Sequence, residues 1–148
     1  MTAISVHLAL PTAEDFVTLR QNVSWGAVSL EQAKMALNHS LCGVVISAGE
    51  TTIAMARVIG DGVLNLYIQD VIVAEPYRGK GYGTKLLSDL ITHLKLTYPD
   101  SISVGLMAAK NQSPFYESFG FALRPCSVTD AGMQSKLGAL HSRLAKTG

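Results

Sequence analysis

Charge and cysteine are both scarce in this sequence, and each shortage removes a class of function. Charged residues make up 16% of the 148-residue chain, and the formal net charge is +1 without any basic run. A nucleic-acid binder needs a concentrated cationic face and a polybasic membrane anchor needs clustered Lys and Arg, so neither partner is expected. Only two cysteines occur, Cys42 and Cys126, without C-x-x-C spacing. They read as reduced residues in or near the core, which fits a cytoplasmic protein. His7, His39, His93 and His141 are scattered, with no pair at metal-ligand spacing, so no metal is expected. No apolar run approaches the roughly 20 residues that span a bilayer. The N-terminus has neither a basic n-region nor a cleavage site, so no secretory signal is expected. What is present is 48% apolar residues, enough for the core of one soluble domain. The expectation is a single domain over residues 1–148, with its core at about 4–124 and a tail, 125–148, that adds strand or helix.

Periodicity gives the elements. Residues 4–10 alternate and stop at Pro11, as a strand does. Thr12 can cap a helix beginning at Ala13, with Phe16, Leu19, Arg20 and Val23 at helical spacing. Ser29 and Gln32 form a capping-box pattern ahead of a second helix. Residues 41–48, 52–59 and 64–73 are strand-like runs separated by Gly49-Glu50 and Asp61-Gly62, which predicts an antiparallel meander. Residues 83–98 carry Leu86, Leu87, Leu90, Ile91 and Leu94 on one helical face. A strand over 102–108, a short helix over 113–119 ended by Gly120, and a strand starting at 121–123 complete the order β-α-α-β-β-β-α-β-α-β. Strands 64–73 and 102–108 flank a helix, so they should run parallel through a right-handed crossover. The fold class is therefore mixed α/β (α+β), a mostly antiparallel sheet flanked by helices.

Glycine is not scarce, and its placement is informative. Arg78-Gly79-Lys80-Gly81-Tyr82-Gly83 joins the strand 64–73 to the helix 83–98. Alternate glycines let the backbone turn with positive φ and let N–H groups approach a ligand. The helix start behind them adds unpaired N–H groups and a positive dipole end, so the loop suits phosphate. Arg78 and Lys80 add charge, and Thr84 a hydroxyl. The loop is not a Walker A loop, because Gly81 follows Lys80 where Ser or Thr is required. It is not the dinucleotide fingerprint, because it reads G-x-G-x-G after a meander. A ligand-free strand-to-helix turn stays open on these residues alone.

The run from Val71 to Gly83 resembles the coenzyme-A motif of the GNAT superfamily of N-acetyltransferases. Arg78, Gly81 and Gly83 stand at the positions of that family's (Q/R)-x-x-G-x-(G/A). Downstream, Asn111 and then Phe115-Tyr116-Glu117-Ser118-Phe119-Gly120-Phe121 resemble its later motif, an asparagine followed by F-Y-x-x-x-G-F. The resemblance implies a GNAT-type fold whose central parallel pair splays apart, with acetyl-coenzyme A in the gap. It implies that Val71, Ile72 and Val73 run beside the pantetheine arm and that Arg78, Gly79, Lys80, Gly81, Tyr82, Gly83 and Thr84 hold the pyrophosphate. Asn111 and Phe115 would contact the cofactor, and Tyr116 would lie near its sulfur. A homodimer is a further expectation of the family.

Acetyl transfer to an amine needs a neutral amine, a stabilised oxyanion and a proton for the departing thiolate. A backbone N–H near Ile72 or Val73 could polarise the carbonyl, and Tyr116 could protonate the sulfur; Tyr116 reads equally as a helix residue packing the sheet. Asp70 falls in phase with the apolar set Leu64, Leu66, Ile68 and Ile72, where an unpaired carboxylate is costly. Either it is buried with partners or a bulge between Gln69 and Val71 resets the phase. Gln69-Asp70 resembles the Glu-Asp pair of glucosamine-phosphate acetyltransferases, with glutamine replacing the first acid. Asp70 is thus a candidate acid–base or orienting group, or a structural tie. Trp25, Tyr67 and Gln69 are candidates for the acceptor pocket, Trp25 reading otherwise as core. The function expected is acetyl transfer from acetyl-CoA to a primary amine of a small molecule. Acetylation of a protein N-terminus or lysine, and a non-catalytic acyl-CoA sensor, are the alternatives.

Overall fold

A computed structural model describes residues 2–143 of the chain. The chain divides into two compact units, Met1–Leu106 and Met107–Gly148. The first holds strands β1 (Ile4–His7), β2 (Cys42–Ala48), β3 (Thr51–Gly60), β4 (Asn65–Val73) and β5 (Ser103–Gly105). Its helices are α1 (Ala13–Arg20), α2 (Leu30–Asn38) and α3 (Tyr82–Thr97). The strands form one sheet in chain order, antiparallel throughout except for the parallel pair β4–β5. The mixed α/β architecture expected from the sequence is present.

Local chemistry starts the helices where the sequence placed their caps. The Thr12 hydroxyl accepts from the Asp15 N–H at 3.1 Å. At α2 the capping box closes both ways: the Gln32 N–H donates to Ser29 Oγ at 3.1 Å, and the Ser29 N–H donates to Gln32 Oε1 at 2.9 Å. Each such cap is worth about 1 kcal/mol. On one face of the sheet α1 and α2 bury Ala13, Phe16, Leu19, Ala33 and Leu37 against Val45, Met55 and Ile72. The other face is covered by α3, whose Leu86, Leu87, Leu90 and Leu94 are buried.

The central strand does not keep its side chains on the faces that simple alternation gives. Met55 lies on the α1/α2 face, so Val58, three residues on, lies on the α3 face. Val58 is opposite Ile68, which therefore shares the α3 face with Leu66. Yet Ile72, four residues beyond Ile68, is opposite Met55 on the α1/α2 face. One extra residue of β4 between Ile72 and Gln69 makes the switch, and Asp70 absorbs it with φ 55°. The expected apolar set Leu64, Leu66, Ile68 and Ile72 is thus corrected: Leu64 is exposed and the other three divide between two faces. The bulge between Gln69 and Val71 forms as anticipated, and Asp70 is also buried with partners, so the two alternatives hold together.

The second unit contains α4 (Ser113–Glu117), with Pro114 in its first turn and Gly120 at φ 103° after its end. The strand expected from 121–123 does not form. Pro125, which has no N–H for a ladder, follows only four residues after Phe121 and stops the run. Among the described tail residues the regular structure is one 3-10 turn, Leu137–Ala139; residues 144–148 of the expected tail lie outside the described residues.

Candidate active site

At the centre of the sheet the bulge presents Asp70 to two arginines. Arg20, at the end of α1, donates from a terminal nitrogen to Asp70 Oδ1 at 2.5 Å. Arg57, on β3, donates from Nε to Asp70 Oδ2 at 2.7 Å and from a terminal nitrogen to Ser40 Oγ at 3.1 Å. The Asp70 side chain is fully buried. The guanidiniums of both arginines lie over the Phe16 ring, at 5.6 Å for Arg20 and 5.5 Å for Arg57, and Arg20 also lies 5.9 Å from the Trp25 ring. Two guanidiniums against one carboxylate leave a residual positive charge on this face. Tyr67 and Gln69 are opposite Ile59 and Arg57, so they belong to the same face, beside Asp70. The bulge thereby brings together Tyr67, Gln69 and Asp70, which strict alternation would have separated.

The other edge of β4 is where the sheet opens. Pairing with β5 runs through Asn65↔Ser103, Leu66↔Val104 and Tyr67↔Gly105 and ends there, while β4 continues to Val73. Among the described residues, 68–73 therefore have no strand partner along that edge. The Ala74 N–H donates to Ile53 O at 2.8 Å, toward β3. Strand alternation then turns Val73 outward to the open edge. Its carbonyl is already met there, by Arg78 Nε at 2.9 Å.

Beyond β4, a 3-10 turn (Glu75–Tyr77) leads into the glycine loop. Gly79 and Gly81 have φ 74° and 89°, and a Cβ added at either would meet nothing within 4 Å. Glycine here serves the turn and an open approach, not close packing. Gly81 is the residue before α3, and no side chain caps the helix. The first α3 bond recorded at this end is Lys85 N–H to Gly81 O, at 3.1 Å. The N–H groups of Tyr82, Gly83 and Thr84 thus have no acceptor within the helix and lie at its positive end. Such a helix start behind two glycines has the chemistry of an anion site, as a pyrophosphate requires. Lys80 lies exposed beside it, its Nζ 5.9 Å from the Tyr77 ring. Arg78 departs from the sequence reading in its side chain. The guanidinium turns back to Val73 O and, at 3.1 Å, to Asn22 O, and so serves the loop's own architecture.

In the second unit Tyr116 lies on α4, its ring edge-on to Phe115 at 5.1 Å and to Phe121 at 6.2 Å. Burial pushes its phenol above the ordinary tyrosine range, which keeps it a proton donor at neutral pH. Asn111, two residues before α4, is exposed and holds φ 68°, a left-handed conformation that asparagine tolerates.

The model of the acetyltransferase (GNAT) domain matches residues 18–134, most of the chain. The chain belongs to the GNAT acetyltransferase family. Among curated relatives, an uncharacterised N-acetyltransferase, ycf52, of Gracilaria tenuistipitata var. liui is 26% identical over 134 residues, covering 86% of this chain and 72% of that protein. The chloroplastic serotonin N-acetyltransferase 2 of Oryza sativa subsp. japonica is 31% identical over 102 residues, covering 66% of this chain and 50% of that enzyme. A crystal structure of SA2161, a protein of unknown function from methicillin-resistant Staphylococcus aureus, superposes with a TM-score of 0.80 at 30% identity, covering 90% of this chain and 99% of that one. The fold of this GNAT chain and its acetyl-CoA donor are thereby those of the family.

Within the GNAT frame the residues that sequence reasoning missed are Arg57, Ser40 and Asn22, and it saw Arg20 only as part of a helical face. Arg57 had a readable signal. A lone arginine inside the apolar strand Thr51–Gly60, next to a strand holding a lone aspartate, requires a buried partner, and each charge is the other's. Asn22 had no such signal, because its contacts are set by where the α1–α2 loop meets the end of β4.

Proposed function

We propose that this acetyltransferase moves an acetyl group from acetyl-CoA to a primary amine of a small molecule, by direct attack of the amine on the thioester. The observation that carries the reading is the opening of the sheet after Tyr67↔Gly105, which leads along β4 to an uncapped, glycine-lined helix start. Acetyl-CoA supplies the activated acyl group. The N–H groups from Arg78 to Thr84 are the candidates to hold its pyrophosphate, and Val71, Ile72 and Val73 offer the strand edge for its arm. The Val73 N–H is the candidate donor to the acyl oxygen. Asn111 and Phe115 are assigned to cofactor contact. When the nitrogen–carbon bond forms and the carbon–sulfur bond breaks, Tyr116 is assigned to give its proton to the sulfur, while the amine's proton leaves to water.

Asp70 is a poor general base for this step. Its side chain is fully buried and both oxygens accept from guanidiniums, so neither oxygen is presented to an incoming amine. Its assigned role is positioning: it fixes the bulge that sets Tyr67 and Gln69 on the acceptor side. A small acceptor is supported by the likeness to the rice serotonin enzyme and by the lone Trp25 on the loop beside α1.

The test is release of free thiol from acetyl-CoA across a library of small amines and short peptides. Turnover on small amines is expected. Turnover on peptides alone would move the acceptor class to proteins, and tight acetyl-CoA binding with no turnover on either would overturn the enzymatic reading.

A further inference from the structure

The arginine of the glycine loop is bonded to the opposite side of the site. Arg78 donates to the main-chain oxygen of Asn22, in the loop between α1 and α2, at 3.1 Å. Asn22 answers with its side chain: Oδ1 accepts from the Glu75 N–H at 3.0 Å, and Nδ2 donates to Thr18 O at 3.3 Å. Glu75 begins the 3-10 turn that leads into the glycine loop. One residue of the α1–α2 loop therefore bonds two points of the segment that shapes the phosphate cradle. Three residues on, Trp25 lies against Arg20, which is held in turn by Asp70 in the bulge. The loop is thus tied to the segment after β4 through Asn22, and the end of α1 just before it to the bulge through Arg20.

We propose that Asn22 is a positioning residue that registers the α1–α2 loop, and Trp25 on it, against the donor loop, so that filling the cradle sets the acceptor side. The proposal rests on the reading of the glycine loop as the coenzyme-A site. Its physical basis is the shared segment. A phosphate drawing the N–H groups of residues 78–84 together acts on the same turn that holds Asn22, and the bonds to Glu75 and Arg78 carry any shift to the loop. Tight coupling through packed, hydrogen-bonded contacts of this kind is local and needs no longer relay.

The chain contains its own reporter, because Trp25 is the only tryptophan. The experiment titrates coenzyme A into the full chain, following binding by calorimetry and Trp25 by emission and acrylamide quenching. In the unaltered protein coenzyme A is expected to change both Trp25 signals. Asn22→Ala keeps the main-chain oxygen for Arg78 but loses the side-chain bonds to Glu75 and Thr18, so the change should be clearly diminished while coenzyme A still binds, its affinity altered by less than about tenfold, the scale of one hydrogen bond. Asn22→Asp keeps an oxygen for the Glu75 N–H and should restore most of the response. Saturated binding without any Trp25 change in the unaltered protein overturns the proposal, as does an undiminished change in Asn22→Ala. Should Asn22→Ala fail to fold, Arg78→Lys, which cannot bridge Val73 O and Asn22 O together, decides in its place: at saturating coenzyme A the response should be diminished, and an undiminished response there overturns the proposal. Absence of any coenzyme A binding to the unaltered protein overturns instead the donor-site reading beneath it.

Discussion

Arg57 Nε donates to Asp70 Oδ2 at 2.7 Å across the place where β3 and β4 lose register. The bond joins β3, which there stays in step with β2, to β4, which takes the extra residue. Without an anchor at that point the extra residue of β4 could slide along the strand, and the side chains beyond it would change faces.

Removing that anchor should be expensive. Asp70→Ala leaves two mostly buried guanidiniums without their carboxylate, and loss of one member of a buried ion cluster costs about 3–5 kcal/mol. Urea unfolding should show the loss as a lowered midpoint. Asp70→Asn keeps one acceptor oxygen and should lose less. Its kcat should fall without displacement of the acid limb of the pH–rate profile; disappearance of that limb would return Asp70 to the role of base.

Gly81→Ala separates backbone cost from steric cost. At φ 89° an alanine carries a left-handed strain of about 1–2 kcal/mol, while its Cβ meets nothing within 4 Å. The far-UV circular dichroism should be unchanged and Tm slightly lower. The new methyl group intrudes on the cradle, so coenzyme A should bind at least about tenfold more weakly by calorimetry, a loss of about 1.4 kcal/mol. Unaltered affinity would remove the glycine loop from the donor site.

Tyr116→Phe tests the proton donor. The expected result is a lower kcat with coenzyme A affinity unchanged. The sign of the pH dependence follows from burial, which raises the phenol's pKa. A group that must be protonated to act, and whose pKa lies above the ordinary value of about 10, sustains activity until the pH passes that value. The alkaline fall in kcat should therefore begin above about pH 10 and be absent in Tyr116→Phe.

A pH effect on stability is expected from Asp61, in the β3–β4 turn. Its Oδ1 accepts from the N–H groups of Asn65, Val63 and Leu64, which lower its pKa to about 2. The folded state thus holds this carboxylate ionised where the unfolded chain would protonate it. The contribution is complete above the unfolded value near 3.8 and is lost as pH falls through about 2. Thermal unfolding between pH 5 and pH 2, read as approximate bounds, should fall less steeply in Asp61→Asn.

Most of the scaffold was legible because its signals are local. Thr12, Ser29 and Gln32 announce helix starts through their own side chains, and the leucines of α3 repeat at helical spacing. The glycine loop was legible because few other uses justify alternate glycines before a helix. The rest depended on distant pairings. Leu66, Ile68 and Ile72 share one parity in the sequence, so their division between two faces is invisible until β4 is set against β3. Arg78 looked like a phosphate ligand because its charge is visible in sequence, whereas the Val73 and Asn22 carbonyls that receive it are not. The strand expected at residue 121 failed where Pro125 follows, a signal the sequence did carry.

The parting of β4 from β5 has a consequence for how this protein can diversify. The ladder there ends by the course of the main chain, at Tyr67↔Gly105. Deleting the extra residue at Asp70 would straighten β4 and reassign its outer half. A change of side chain leaves that frame in place, whereas a change of one residue in its length recasts it.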